Sequence, residues 1–120
     1  MATIHQLIQQ GNIEAVKEII ASQPEAIHSK DEKGFPALVF AVYFNQPEIT
    51  KLLIEKGADL EARDVLGNTA LMGAAFKGNK AMVEILIASG ADVNAVNNNQ
   101  MTAADYATKY GHEEILKLLK

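Results

Sequence analysis

Apolar residues along this chain come in short bursts at helical spacing, divided by polar stretches. Over residues 79–90, Met82, Ile85 and Leu86 stand at i, i+3 and i+4, which puts them on one face of a helix. Gly90 suits the left-handed position just past that helix, and residues 91–100, rich in Asn and Asp, read as turn material. Over residues 67–78, Thr69 is the expected N-cap and Gly78 the stop. The small residues at 73–75 would let a neighbouring helix approach closely. The local pattern therefore predicts two short helices and a turn.

The pattern then returns. GADLEARDVLG at 57–67 is nearly restated as GADVNAVNNNQ at 90–100, a step of 33 residues. Asp31, Asp64 and Asn97 keep that step, and Gln100 stands where the two earlier units have Gly34 and Gly67. Gly11-Asn12, Asn45-Gln46, Gly78-Asn79 and Gly111-His112 mark a second recurring junction; its first step is 34 residues, so one residue is inserted near Gln23-Pro24. The apolar endings Ile19-Ile20, Leu52-Leu53-Ile54, Ile85-Leu86-Ile87 and Leu118-Leu119 close each unit. A period in this range is the mark of stacked repeats, each of which buries its apolar face against the next.

The period, together with G-A-D-V-N-A and G-x-T-x-L, resembles the ankyrin repeat, and the resemblance runs over all 120 residues. It implies an all-α fold class, an ankyrin-repeat solenoid of antiparallel helix pairs joined by β-turn hairpin loops. The expected organisation is a single domain: a cap at 1–30, repeats at 31–63 and 64–96, and a cap at 97–120. Ile49/Leu52 and Met82/Ile85 should meet the preceding repeat, where the first unit has Ala15/Glu18. At the other end Asp105, Thr108 and Lys120 replace the apolar residues of the internal units. The family's T-P-L-H becomes Pro36-Ala-Leu-Val39, Thr69-Ala-Leu-Met72 and Thr102-Ala-Ala-Asp105, without its histidine.

Composition narrows the chemistry. With 48% apolar residues the chain can build a core, and with no cysteine it has no disulfide or thiolate site. It has no basic leader before an apolar segment and no run of 18 apolar residues, so a cytoplasmic protein is expected. A net charge of −4 argues against a nucleic-acid partner. His5, His28 and His112 lack metal-ligand spacing, no phosphate-binding glycine loop is present, and Ser22, Ser29 and Ser89 have no evident base. No cofactor, metal or catalytic residue is expected. Asp59/Glu61 and Asp92/Asn94 recur with the repeat and should tie the turn backbone.

Function should then lie where the repeat leaves residues free. The resemblance puts those positions at the hairpin tips and the solvent side of each first helix's end, lining a concave groove. The partner-binding candidates are Lys33, Phe35, Tyr43, Phe44, Arg63, Val65, Leu66, Asn68, Phe76, Lys77, Met101, Lys109 and Tyr110, beside Glu32, Val96, Asn98 and Asn99. These positions hold five of the chain's seven aromatics and a charge of +3 within an acidic protein, a composition that suits an interface core better than a merely soluble surface. The expected function is non-enzymatic protein–protein interaction by a monomer, away from membranes. The partner would be a protein or peptide of acidic or mixed apolar and acidic character, with Lys33, Arg63, Lys77 and Lys109 steering it. Two alternatives stand beside it: single-stranded nucleic-acid binding by the aromatic and basic groove, and a small enzyme. The competing structural reading is that Phe44, Phe76 and Tyr110 fold inward under the next repeat.

Overall fold

The structure is a computed structural model that describes residues 2–120. Among the described residues there are eight α-helices: α1 (Ile4–Gln10), α2 (Ile13–Ser22), α3 (Ala37–Tyr43), α4 (Pro47–Glu55), α5 (Ala70–Lys77), α6 (Lys80–Ala88), α7 (Ala103–Lys109) and α8 (Glu113–Leu119). Connections of two or three residues join the members of each pair, too short for anything but antiparallel neighbours. The inner helices α1, α3, α5 and α7 pack in chain order, each on the next, while the outer helices α2, α4, α6 and α8 back them. Such stacking gives an elongated body, 40 × 25 × 22 Å. The residue inserted near Gln23-Pro24 is absorbed by a 3₁₀ turn, Pro24–His28. None of the described helices is long and apolar enough to cross a membrane.

Local chemistry fixes the helix ends. Thr3, Thr69 and Thr102 cap the inner helices α1, α5 and α7 by accepting from the backbone N–H three residues on. Asn12 and Asn79 do the same for α2 and α6. Proline opens α4 at Pro47, where its missing N–H is no loss. Gly78 stops α5 in the left-handed region, and Gly90 lies just past α6 at φ 100°, both as the sequence predicts. Asn45 and Gln100 hold φ values of 53° and 62° without the help of glycine. The turn of the last unit therefore survives the loss of its glycine.

The core runs along the seam between the two helix layers. Ile8, Leu38, Leu53, Leu71, Met72, Met82, Leu86 and Ile115 are fully or almost fully buried. Ala41, Ala74 and Ala75 have no exposed surface at all, so the inner helices meet over residues without bulk. Gly73 departs from the expectation for residues 73–75. It is half-exposed and turned toward the side of the body that carries the hairpin tips.

Candidate partner-binding groove

Before each inner helix the chain projects a finger, and each finger is locked by one side chain. Asp31 Oδ1 accepts from the N–H groups of Lys33 and Phe35 at 3.0 and 2.8 Å. Asp64 Oδ1 accepts from Leu66 and Asn68, both at 2.9 Å. Asn97 Oδ1 accepts from Asn99 and Met101 at 2.9 and 3.0 Å. At each tip a β-turn closes with the N–H of Gly34, Gly67 or Gln100 donating to the carbonyl three residues back at 3.0 Å. Further along each repeat, Asp59 and Asp92 receive the N–H two residues on at 2.8 Å. Glu61 Oε2 also accepts from Asp92 N–H in the next repeat at 2.9 Å.

The fingers are also bonded to one another. The Asn98 amide nitrogens, backbone and side chain, donate to Leu66 and Val65 carbonyls at 3.0 and 3.2 Å. Arg63 Nη1 donates to Gly67 and Val96 carbonyls at 2.8 and 2.6 Å. Its Nη1 thus ties two fingers together, while the side chain stays exposed and keeps its charge. Asn68 is likewise engaged internally: its Oδ1 accepts from Asn97 Nδ2 at 2.9 Å and from the Tyr106 hydroxyl at 3.1 Å. Val65 is exposed, yet it lies over the Gly34 backbone of the previous finger.

Between fingers and inner helices the surface holds two hollows that share Phe35 and Tyr43 as a dividing ridge. One, of about 490 Å³, is lined by Lys33 and Phe44 among others. The other, of about 340 Å³, brings together Leu66, Asn68, Phe76, Met101, Lys109 and Tyr110. Arg63, Val65 and Lys77 line neither. The aromatics form two groups. Phe35, Phe40, Tyr43 and Phe44 touch one another, with the closest centroids 4.5 Å apart for Phe40 and Phe44. Phe76 meets Tyr106 and Tyr110 edge-on at 5.9 and 5.0 Å. Tyr43, Phe44, Leu66 and Tyr110 are exposed, between 37% and 57%; Phe35 and Phe76 are half-buried. The inward-folding reading thus applies in part to Phe76, while Phe44 and Tyr110 stay open.

Two cations stand over the rings. Lys77 Nζ lies 4.4 Å from the Tyr43 ring centre and Lys109 Nζ lies 5.7 Å from that of Tyr110. Two histidines support the aromatics from behind, their Nε2–H groups donating to carbonyls: His5 to Phe35 at 2.7 Å and His112 to Phe76 at 3.3 Å. Tyr106 and His5 were not among the sequence candidates. For Tyr106 a signal existed, since it stands 66 residues, two repeats, after Phe40. No three His, Asp or Glu residues among the described ones are grouped to hold a metal ion.

A row of locked fingers over stacked inner helices is the architecture that the 33-residue period implies. The family model described as "Ankyrin repeats (3 copies)" matches residues 4–97 and 59–120. The chain belongs to the ankyrin-repeat family. Among characterised proteins it is similar to the human DNA-binding protein RFXANK, 37% identical over 57 residues, which are 48% of this chain and 22% of that protein. It is also similar to human protein phosphatase 1 regulatory subunit 27, 36% identical over 62 residues, 52% of this chain and 40% of the relative. The palmitoyltransferase akr1 of Schizosaccharomyces pombe matches at 36% over 62 residues, 52% of this chain and 10% of the relative. The chain thus matches between a tenth and two-fifths of the length of these relatives. Ankyrin repeats act as interaction modules, and they occur both in regulatory proteins and in an enzyme.

Proposed function

We propose that this chain is a non-enzymatic protein-interaction module that holds a segment of a partner protein in the groove between its fingers and inner helices. One observation carries the reading: Leu66, on a finger whose backbone is already hydrogen-bonded, and Tyr43, Phe44 and Tyr110, at the ends of inner helices, are all exposed around the two adjoining hollows. Exposed apolar residues gathered in a patch mark an interaction site, where scattered ones do not. The cations Lys33, Lys77 and Lys109 around them favour an acidic or mixed partner segment. Base stacking by a nucleic acid fits less well, because Lys77 already covers the Tyr43 ring.

The test is a pair of serine substitutions, Phe44→Ser with Leu66→Ser, at exposed rather than half-buried positions. The fold should hold, and affinity for partners purified from the native host should fall by about 2 kcal/mol, about thirtyfold. The control pair Lys51→Ala with Glu84→Ala, on the outer helices, should change neither. Undiminished capture by the folded serine variant places the binding surface elsewhere. A steep loss of affinity with added salt would instead indicate phosphate contacts.

A further inference from the structure

Three inner helices carry a residue at the same step of the repeat: Phe40 in α3, Gly73 in α5 and Tyr106 in α7, spaced by 33. The flanking two are large rings and the middle one is empty. Gly73 lies in the interior of α5, where glycine is the poorest helix former after proline. Its backbone does not call for glycine, since it is absent from the positive-φ residues. Packing does not call for it either: a Cβ built there would find only Tyr43 Cδ1 within 4 Å, at 3.9 Å, an ordinary contact. What the missing side chain does is leave open the hollow of about 340 Å³ above α5, a size within the range of small-ligand sites. Phe35 and Tyr43 wall it on one side, Phe76 and Tyr110 on the other, and Leu66 and Met101 reach in from the fingers.

The charge around the hollow leans positive, with Lys109 in its lining and Lys77 over its Tyr43 wall against a single carboxylate. Asp64 is its one lining carboxylate, and Asp64 is occupied with the N–H groups of its own turn. Among the described residues Lys77 and Lys109 have no carboxylate partner, while Lys17, Lys51, Lys80 and Lys117 on the outer helices each pair with a glutamate at 3.4 to 3.8 Å. Resting on the rings of the hollow's walls, the two free ammonium groups are placed for anions arriving with an apolar group.

Building on the protein-binding reading above, we infer that the hollow opened by Gly73 is an anchor pocket. It takes one aromatic or large aliphatic side chain from a partner segment whose adjacent residues are Asp or Glu, and those carboxylates meet Lys77 and Lys109.

The chain has no tryptophan, so the emission of an indole probe excited on the long-wavelength side of tyrosine absorption reports the probe alone. The full chain is titrated into the peptide acetyl-Glu-Asp-Trp-Glu-Asp-amide. A saturable blue shift is expected, with binding at least about tenfold weaker for the Lys-Lys-Trp-Lys-Lys counterpart and for the charge-reversed Lys77→Glu/Lys109→Glu chain. Gly73→Leu should fill the hollow and weaken the acidic peptide at least about tenfold. Gly73→Ala, which meets only the 3.9 Å contact, should raise the melting temperature and weaken the peptide less, a control that separates filling from misfolding. Absence of saturable binding into the millimolar range overturns the inference. So does equal binding by a folded Gly73→Leu chain, equal binding of the lysine peptide, or equally strong displacement by octathymidylate, which would assign the pocket to nucleic acid. If Gly73→Leu keeps the native partners while Phe44→Ser/Leu66→Ser loses them, the pocket fails and the groove reading stands. If both variants keep them, both fail.

Discussion

Thr50 offers a sharp test of how the outer helices are packed. It is the fourth residue of α4, as Val16 is of α2 and Val83 of α6, and all three have no exposed surface. In this setting the Thr50 hydroxyl has no hydrogen-bond partner. The carbonyl it would ordinarily reach is that of Gln46, one turn back, which already accepts from Thr50 N–H at 2.8 Å. Thr50→Val keeps the branched shape and leaves helix propensity almost unchanged. It removes a polar group whose unrelieved burial costs about 1–3 kcal/mol. Taking the lower end, the variant should gain about 1 kcal/mol, which shifts the urea midpoint by about 0.5 M at an m-value of about 2 kcal/mol/M and the melting temperature by about 4 °C. Equilibrium urea unfolding followed by circular dichroism is the assay, with an unchanged m-value as the check that the unfolded state is unaltered. A midpoint equal to or below that of the parent chain would refute the reasoning, because it would mean that the hydroxyl is satisfied in the native protein.

Two other sites extend the stability argument. Gln100→Gly should stabilise by about 1 kcal/mol, since φ is 62° there and a side chain is strained in that region; a lowered unfolding midpoint would count against it. Asn45→Gly, at φ 53°, should gain nothing, because Asn45 Oδ1 accepts from Asn79 Nδ2 across the repeat at 2.8 Å and the lost bond offsets the relief. Tyr106→Phe should lower stability by about 1–2 kcal/mol, as its hydroxyl joins Asn68 and Asn97 in a part-buried network; thermal unfolding without a downward shift would show that the network is replaceable.

The architecture was legible because repetition separates constraint from accident. Asp31, Asp64 and Asn97 recur at a fixed step, and each does the same work on two backbone N–H groups of its turn. Thr69, Gly78 and Gly90 could likewise be assigned from their place at the edges of apolar bursts. The groove was less legible, since spacing fixes where a residue stands but not what its polar end finds. Arg63 reads as an exposed cation, and it is one, but its spacing does not reveal that its Nη1 also bonds the carbonyls of Gly67 and, 33 residues away, Val96. Gly73 shows the same limit from the opposite side. Beside Ala74 and Ala75 it reads as one more small residue for helix packing, yet those two are buried and Gly73 opens outward.

The locked fingers bear on how such a surface could bind at all. An exposed leucine or phenylalanine on a floppy loop would collapse onto the body or lose its gain to ordering, since holding each side chain at an interface costs about 0.5–1.5 kcal/mol before the backbone is counted. Here the backbone around Leu66 is held on both sides, by Asp64 within its own finger at 2.9 Å and by Asn98 N–H from the next at 3.0 Å. Tyr43 is held as well, between Phe35 and Phe44 with Lys77 over its ring. The ordering cost is thus met on folding, by hydrogen bonds that also build the solenoid. It follows that loosening a finger should weaken partner binding without touching a contact residue. Asn97→Ala, which frees the N–H groups of Asn99 and Met101 at an uncharged residue that lines neither hollow, should in the folded chain reduce affinity mainly through faster dissociation, whereas unchanged dissociation from a partner that still binds in the groove would show that finger rigidity plays no part.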